Sequence, residues 1–292
     1  MRWQKVLKRV LQYWYLIAFC AFSLFPIYWT FASSLKTPDE TFAMPPKWVF
    51  VPTLHNYGVV FGLTIGPEVT GVTTEEAGGG SEFPRNLLNT VVIAAGSTIM
   101  SLVLGCGAAY SLTRGQVRGG RTVLAGTLLT RLIPPVVMLV PIYVLWRSLG
   151  LLDTHIGMMF AYLSFSLPFT IWMMYSFFLD IPAELEDAAA VDGCSHLQVL
   201  WNIVLPLSSP GLAATAVFLI LGAWNDFLYS SVLTQTVART VSPLILEFIT
   251  DRTILWGRLY AAGATILIPV VVFTFLVQRY MGIGLTGGAL KG

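Results

Sequence analysis

The stretch "ELEDAAAVDGCSHLQVLWNIVLP", residues 184–206, decides how this chain is read. It carries Glu184, Glu186, Asp187 and Asp192, yet no Lys or Arg occurs anywhere from Ser148 to Ala238. Long apolar runs flank it on both sides. Local chemistry reads the stretch as two short helices. Pro182 is tolerated in a first helical turn, and the carboxylates that follow favour the positive end of a helix. Gly193 suits a helix stop, and Ser195 with Gln198 three residues later reads as a capping box for a second helix reaching Pro206. On the first helix Leu185, Ala188, Ala189 and Asp192 fall on one face. An exposed Ala-Ala centre lets a partner's backbone come close, and the flanking acids fix its orientation. The plain alternative is a solvated helix that only joins two apolar runs.

Composition identifies the solvent. Charged residues make up 11% of the 292, against roughly 25% in a typical soluble domain. Hydrophobic residues reach 55%, with a mean hydropathy of +0.73. A water-soluble core has no use for that much apolar surface, so lipid must cover much of it. The net charge of +2 is too small for a nucleic-acid footprint. Cys20, Cys106 and Cys194 show neither disulfide nor zinc-ligand spacing. Arg2, Lys5, Lys8 and Arg9 precede the first apolar run, which is longer than a signal-peptide core of ~7–15 residues. An uncleaved first span is expected.

A helical span needs about 20 mainly apolar residues. Six segments qualify, at 12–34, 87–112, 122–146, 155–179, 208–232 and 259–280. The fold expected is all-α and polytopic, with a loop carrying the opening stretch between helices four and five. It divides into a tail (1–11), a first helix (12–34), a loop (35–86), a core of five helices (87–280, with the connection 180–207) and a tail (281–292). The loop 35–86 holds an acidic, glycine-rich insert near 66–84. Basic residues cluster at the N-terminus and in "RGQVRGGR" (114–121), which assigns both termini and the opening stretch to the cytoplasm. In the second span Ser97, Ser101, Gly105 and Ala109 recur every fourth residue, a pattern for close helix packing within the chain. The third span carries Pro134, Pro135 and Pro141 and is expected to be kinked or broken.

One pattern in the opening stretch is specific. Asp187-Ala188-Ala189, three residues, Gly193, nine residues and Ile203-x-Leu205-Pro206 resembles the EAA loop of permease subunits of bacterial ATP-binding-cassette importers. The segments "IPPVVMLVPIYVLWRSLGLLDT" (133–154), "LPFTIWMMYSFFLDIP" (167–182), "AWNDFLYSSVLT" (223–234) and "GLTGGALKG" (284–292) are similar to its carbohydrate-importer branch, near the smaller maltose-type permease. The resemblance implies a coupling helix seated in a cytoplasmic ATPase subunit. Asp187, Ala188, Ala189 and Gly193 would form the core of that contact, flanked by Glu184 and Asp192, with Ile203, Leu205 and Pro206 completing the motif. It also implies a homologous permease as heterodimer partner, two ATPase subunits, an extracytoplasmic solute-binding protein and a di- or oligosaccharide substrate, in a prokaryotic cytoplasmic (inner) membrane. The chain departs from the family in having Asp187 where Glu is usual. Ala190 and His196 stand where Arg is frequent.

No G-x-x-x-x-G-K-[ST] occurs, so no cofactor is expected on this chain, and ATP with Mg would be hydrolysed by the partner ATPases. Neither H-E-x-x-H nor G-x-S-x-G is present, so an enzyme is not expected. Arg131 and Asp226 fall inside predicted spans, where ionisable groups line water-filled paths or pair with each other. They are candidates for a translocation path, as a pair joined by Asn225, or for a purely structural ion pair. Trp224, Tyr162 and Trp172 are candidates for stacking on a sugar ring, or for anchoring spans at the interface. A secondary transporter or channel driven by an ion gradient is the alternative. Several intramembrane carboxylates would mark it, and Asp226 alone is thin support.

Overall fold

A computed structural model describes residues 2–63, 82–114, 117–249 and 254–289. Most of the acidic, glycine-rich insert and the last three residues lie outside this range. Among the described residues there is no strand; the one pairing of that kind is an isolated bridge between Ile249 and Ile254. The helices follow in order: α1 (Arg2–Ser34), α2 (Pro38–Thr41), α3 (His55–Val60), α4 (Phe83–Thr113), α5 (Gly120–Thr130), α6 (Pro135–Leu149), α7 (His155–Leu179), α8 (Ala183–Val191) and α9 (His196–Val199). A π-helical turn (Leu200–Val204) leads into α10 (Leu205–Leu207), and α11 (Ser209–Trp224), α12 (Leu228–Leu233) and α13 (Val241–Leu244) come next. A 3₁₀ turn (Ile245–Phe248) precedes α14 (Trp256–Ala289).

Four helices are long and apolar enough to cross a bilayer, and the number rises to six if each of two bent pairs is one span. The fourth expected span, 155–179, coincides with α7, where the Thr154 side chain accepts from Gly157 N at 3.1 Å. The third is broken, as its prolines require: α5 and α6 meet at 96°. Pro134 and Pro135 supply no N–H, and each disfavours helix in the residue before it. The fifth departs from the sequence reading. α11 stops at Trp224, and the chain unwinds over 225–227 before α12. Hydropathy averaged over the span passes over that stop, although Asn225 and Asp226, residues that favour helix ends over helix interiors, mark it in the sequence. The first and last helices overrun their expected ends, starting at Arg2 and running on to Ala289.

The chain forms two compact units. One holds residues 1–84 and 244–268. Here Asn56 Nδ2 donates to the carbonyls of Ser34 (3.0 Å) and Lys36 (2.9 Å), tying α3 to the end of α1. The buried Lys36 ammonium lies over the rings of Trp29 and Phe50. None of the apolar window of α1 is buried within the chain, which leaves it to lipid or to another chain.

The other unit holds residues 85–243 and 269–292. Two apolar cores stand out among its described residues. One joins the first half of α4 (Ile93, Ala94) to α6, α7 and α12 through Leu139, Met158, Tyr162 and Tyr229. The second joins the far ends of α4 and α7 (Cys106, Ala109, Met174, Phe178) to Ala189, Val199 and Val204. Between the cores α4 and α7 approach closely through small side chains. Ser97, Ser101 and Ala109 are buried, and Ser101 Oγ lies 2.8 Å from Thr170 Oγ1. Lipid tails are as apolar as leucine, so helices in lipid associate by such close packing and hydrogen bonding.

Candidate functional site

The opening stretch folds as its residues direct. Pro182 caps the start of α8, and Asp192 caps its end. Gly193 has φ +84, the left-handed region where a side chain clashes with its own backbone. Its N–H bonds Ala190 O at 3.1 Å, and Cys194 N bonds Ala189 O at 3.0 Å, closing the helix. Ser195 and Gln198 form the expected capping box. Leu200–Val204 is then wound as a π-helix, and the segment His196–Leu207 meets α11 at 82°.

The four residues expected on one face are divided by the fold. Ala189 turns inward and packs in the second core, while Leu185, Ala188 and Asp192 stay exposed. Glu184, Asp187 and Gly193 share the exposed side. Val191 (87% exposed), Leu197 and Trp201 add an apolar surface to it. Of the motif's end, Ile203 and Leu205 are half-buried and Pro206 is exposed.

The acids of this stretch do have a base, and it comes from far away in sequence. Arg114, at the end of α4, forms an ion pair with Glu186 and donates from Nε to Oε1 at 2.8 Å. Tyr110 donates its hydroxyl to Oε2 at 2.9 Å. Arg114 Nη2 also donates to Ile181 O at 3.2 Å and Phe178 O at 3.5 Å, satisfying carbonyls at the end of α7. These groups line a cavity of about 690 Å³ together with Asp187, Cys194 and His196. In the sequence Glu186 stands among the acids and Arg114 within the basic cluster 114–121, but no local pattern pairs them. The available signal was the shared side of the membrane: Arg114 and the acidic connection are both assigned to the cytoplasmic face, where charges of opposite sign can meet.

The candidates for a path are also sorted by the structure. Arg131 and Asp226 line one cavity of about 340 Å³, with Phe165, Pro168, Met138 and Tyr229 among its walls. They are not an ion pair, and each meets other groups. Asp226 accepts from Tyr162 Oη at 2.9 Å and from the N–H groups of Ser230 (3.1 Å) and Tyr229 (3.4 Å), so it caps α12 beyond the unwound turn. The Arg131 guanidinium instead lies 4.7 Å over the Phe169 ring. Tyr162 and Trp224 are buried and do not line the cavity, and Asn225 Nδ2 donates to Leu221 O. Trp172 is partly exposed on α7.

Asp153, between α6 and α7, was not singled out by sequence. It adopts φ 54, a conformation that Asp tolerates better than most residues. Its carboxylate gathers the chain after α12: it accepts from Gln235 N (3.0 Å), Thr236 N (3.1 Å), Val237 N (3.0 Å) and Ala238 N (3.1 Å). Asn89 Nδ2 bonds the carbonyls of Val237 and Arg239 from the other side. Its Oδ1 lies 2.8 Å from His155 Nε2, which must therefore carry the proton. Burial raises the Asp153 pKa, but the N–H donors of Val237, Gln235, Ala238 and Thr236 outweigh it and hold the group at about 2, below the ordinary 3.8. Because the folded pKa is depressed, the stabilisation is complete above the ordinary carboxylate range and is lost as pH falls through about 2. Amides 235–238 should thus stay protected from hydrogen exchange at pH 4. Asp153→Ala should expose them at neutral pH, raising their exchange about tenfold or more, as loss of charge-assisted bonds of about 1.5–3 kcal/mol implies. Unchanged exchange in that variant would remove Asp153 as the anchor.

Among the described residues no group of three or more His, Cys, Asp or Glu is gathered closely enough to hold a metal ion. What the arrangement offers is mechanical: an exposed helix fixed to two long helices, and a cavity beside a broken one.

Comparison with known proteins agrees with these parts. Residues 101–283 match the family model of the binding-protein-dependent transport system inner membrane component. The chain is 35% identical over 279 residues to the probable ABC transporter permease protein y4oR of Sinorhizobium fredii, covering 96% of this chain and 94% of that one. It is 32% identical over 274 residues to the trehalose transport system permease protein SugB of Mycobacterium tuberculosis, covering 93% of each. A chain of a bacterial ABC transporter involved in the import of the acidic polysaccharide alginate has the same fold, with a TM-score of 0.73 at 22% identity over 95% of this chain and 97% of that one. A family model over more than half the chain and near-full-length relatives above 30% identity settle membership: this protein belongs to the binding-protein-dependent transport system inner membrane components.

Proposed function

We propose that this chain is the membrane-spanning permease subunit of an ATP-driven sugar importer, carrying a di- or oligosaccharide. The observation that carries the mechanism is α8, an exposed helix with Ala188 among Glu184, Asp187 and Asp192, bound firmly from beneath to α4 and α7. In this reading α8 docks on one cytoplasmic ATPase subunit, and a homologous permease with its own ATPase completes the complex. ATP and Mg belong to those ATPases. An extracytoplasmic solute-binding protein delivers the sugar, and the chain's outer loops (35–85 and 233–258) receive it. Six spans, both termini in the cytoplasm and a prokaryotic cytoplasmic membrane complete the picture. The substrate class rests on the relative named for trehalose transport.

The test is uptake in membrane vesicles with ATP supplied inside and ion gradients collapsed. Binding-protein-dependent uptake should persist. Uptake that needs the gradient and ignores ATP would instead support a gradient-driven carrier.

For the path itself, Arg131 and Asp226 are the cavity charges that substrate would pass. Because they are not paired, exchanging them (Arg131→Asp with Asp226→Arg) should not recover the uptake lost in either single variant. Asp226→Arg alone leaves the α12 N–H groups without their acceptor, and uptake should fall about tenfold or more, since each unmet buried polar group costs about 1–3 kcal/mol. Recovery to near wild-type uptake in the exchanged protein would restore the ion-pair reading.

A further inference from the structure

The geometry points to a rivet: Glu186, Arg114 and Tyr110 make α8 and the ends of α4 and α7 one mechanical body, so that displacement of α8 reaches the spans through α4 and α7. The inference rests on the reading of α8 as the helix that meets the ATPase, and it assigns the transmission to residues outside the EAA pattern. Both oxygens of Glu186 are engaged, Oε1 by Arg114 and Oε2 by Tyr110. Arg114 reaches on to the carbonyls of Phe178 and Ile181, so a single guanidinium joins three elements. The Glu186 and Arg114 side chains are only 11% and 18% exposed, which shields their attraction from salt better than a surface pair. Beneath them Ala189 packs with Tyr110 and Phe178 in the second core, so polar and apolar contacts resist the same motions.

The connection from α8 toward α11 is built differently. Gly193 interrupts the helix, Leu200–Val204 is π-wound, Pro206 brings no N–H, and the chain bends by 82° at Ser208. Each of these is a recognised point of helix bending. One side of α8 is thus stiff and the other is jointed. A push on α8 moves what is stiffly attached, and the joint lets α11 follow its own course. Glu186, Arg114 and Tyr110 are positioning residues, since none lies on the exposed face that would meet a partner.

The test uses the full complex in proteoliposomes, with three readouts: ATPase subunits copurified with the permease, ATP hydrolysed in the presence of loaded binding protein, and sugar taken up per ATP. Glu186→Gln and Arg114→Gln should keep the ATPases bound and hydrolysis running, while uptake per ATP falls about tenfold, within the range seen for residues that carry coupling. The exchange Glu186→Arg with Arg114→Glu should recover much of it. Uptake per ATP within twofold of wild type in both Gln variants would overturn the rivet. So would a Glu186→Gln protein that loses ATPase binding and uptake together, since Glu186 would then belong to the docking surface.

A second experiment covers variants that fail to accumulate. In a Cys194→Ser background, Arg114→Cys and Glu186→Cys are joined by a short crosslinker. A rivet stays closed through the cycle, so the crosslinked protein should still transport; arrest on crosslinking, reversed by cleaving the link, would overturn the proposal. If the wild-type complex binds no ATPase, or imports without ATP, the docking reading has failed and this inference falls with it. Coupled wild-type transport with unaffected variants sinks the rivet alone.

Discussion

Ala188→Phe is expected to leave the protein inserted, at normal abundance, and to reduce ATP-driven uptake by at least about tenfold. Ala188 is exposed on α8, so the added ring has room within this chain and should not disturb its own fold. In the assembled transporter the same ring must enter a contact fitted to a methyl group. Overpacking a fitted contact costs about 1–3 kcal/mol, and 1.4 kcal/mol is a factor of ten. Gly193 provides the internal contrast. Apart from its own chain neighbours, no atom lies within 4 Å of where its Cβ would stand, so substitution there meets only the backbone cost of φ +84. That cost is about 1–2 kcal/mol for an ordinary residue and less for Asn, which tolerates this region. Gly193→Asn should therefore be milder than Gly193→Val. Ala188→Phe should be harsher than either and should also lower the ATPase copurified with the permease. Wild-type uptake in Ala188→Phe would mean that α8 meets no close partner there.

That ranking shows where the sequence was legible. The boundaries of α7, the break between α5 and α6, the Ser195–Gln198 capping box and the turn at Gly193 all follow from residues within a few positions of each other. Local rules govern such features, so a single chain displays them. The EAA spacing was legible for the same reason, because its anchors lie along one short segment. The Arg114–Glu186 pair was not, because it joins residues 72 apart in sequence and no local rule links them. Reading the connection as acid without base was correct for its composition and wrong for its environment. The same holds for Asp226. Its burial inside an apolar run pointed to a charged partner across the path. The fold meets that need more cheaply, with the Tyr162 hydroxyl and two N–H groups exposed by the unwound turn. The break falls at Asn225-Asp226-Phe227, and hydropathy averaged over a whole span hides so short a polar step, so the acceptor role of Asp226 was passed over. Asp153 was missed on similar grounds, since its donors lie more than 80 residues away.

Gly105→Leu should strongly damage the chain's own stability, although Gly105 lines neither of the two cavities described above. A Cβ built at this position would lie 2.5 Å from Thr170 Cγ2 and 2.8 Å from Thr170 Cβ. Real side chains do not approach that closely, so α4 and α7 would have to part. One turn away the Ser101–Thr170 hydrogen bond, buried and 2.8 Å long, would be stretched by the same movement. Neither loss is recovered elsewhere, because in lipid no hydrophobic gain draws separated helices back together. A cost of about 3 kcal/mol follows for a leucine, near the upper end for overpacking, and lowers the thermal midpoint in detergent by about 5–10 °C. Thr170→Ala removes the atom that Gly105→Ala would strike first, so the double variant should be more stable than Gly105→Ala alone. If the clash is the cause, the two changes must couple in a double-mutant cycle. Strict additivity would show that α4 and α7 do not meet at this point. The second core would then lose the close approach that lets Tyr110 and Arg114 reach Glu186, and with it the stiff half of the proposed transmission.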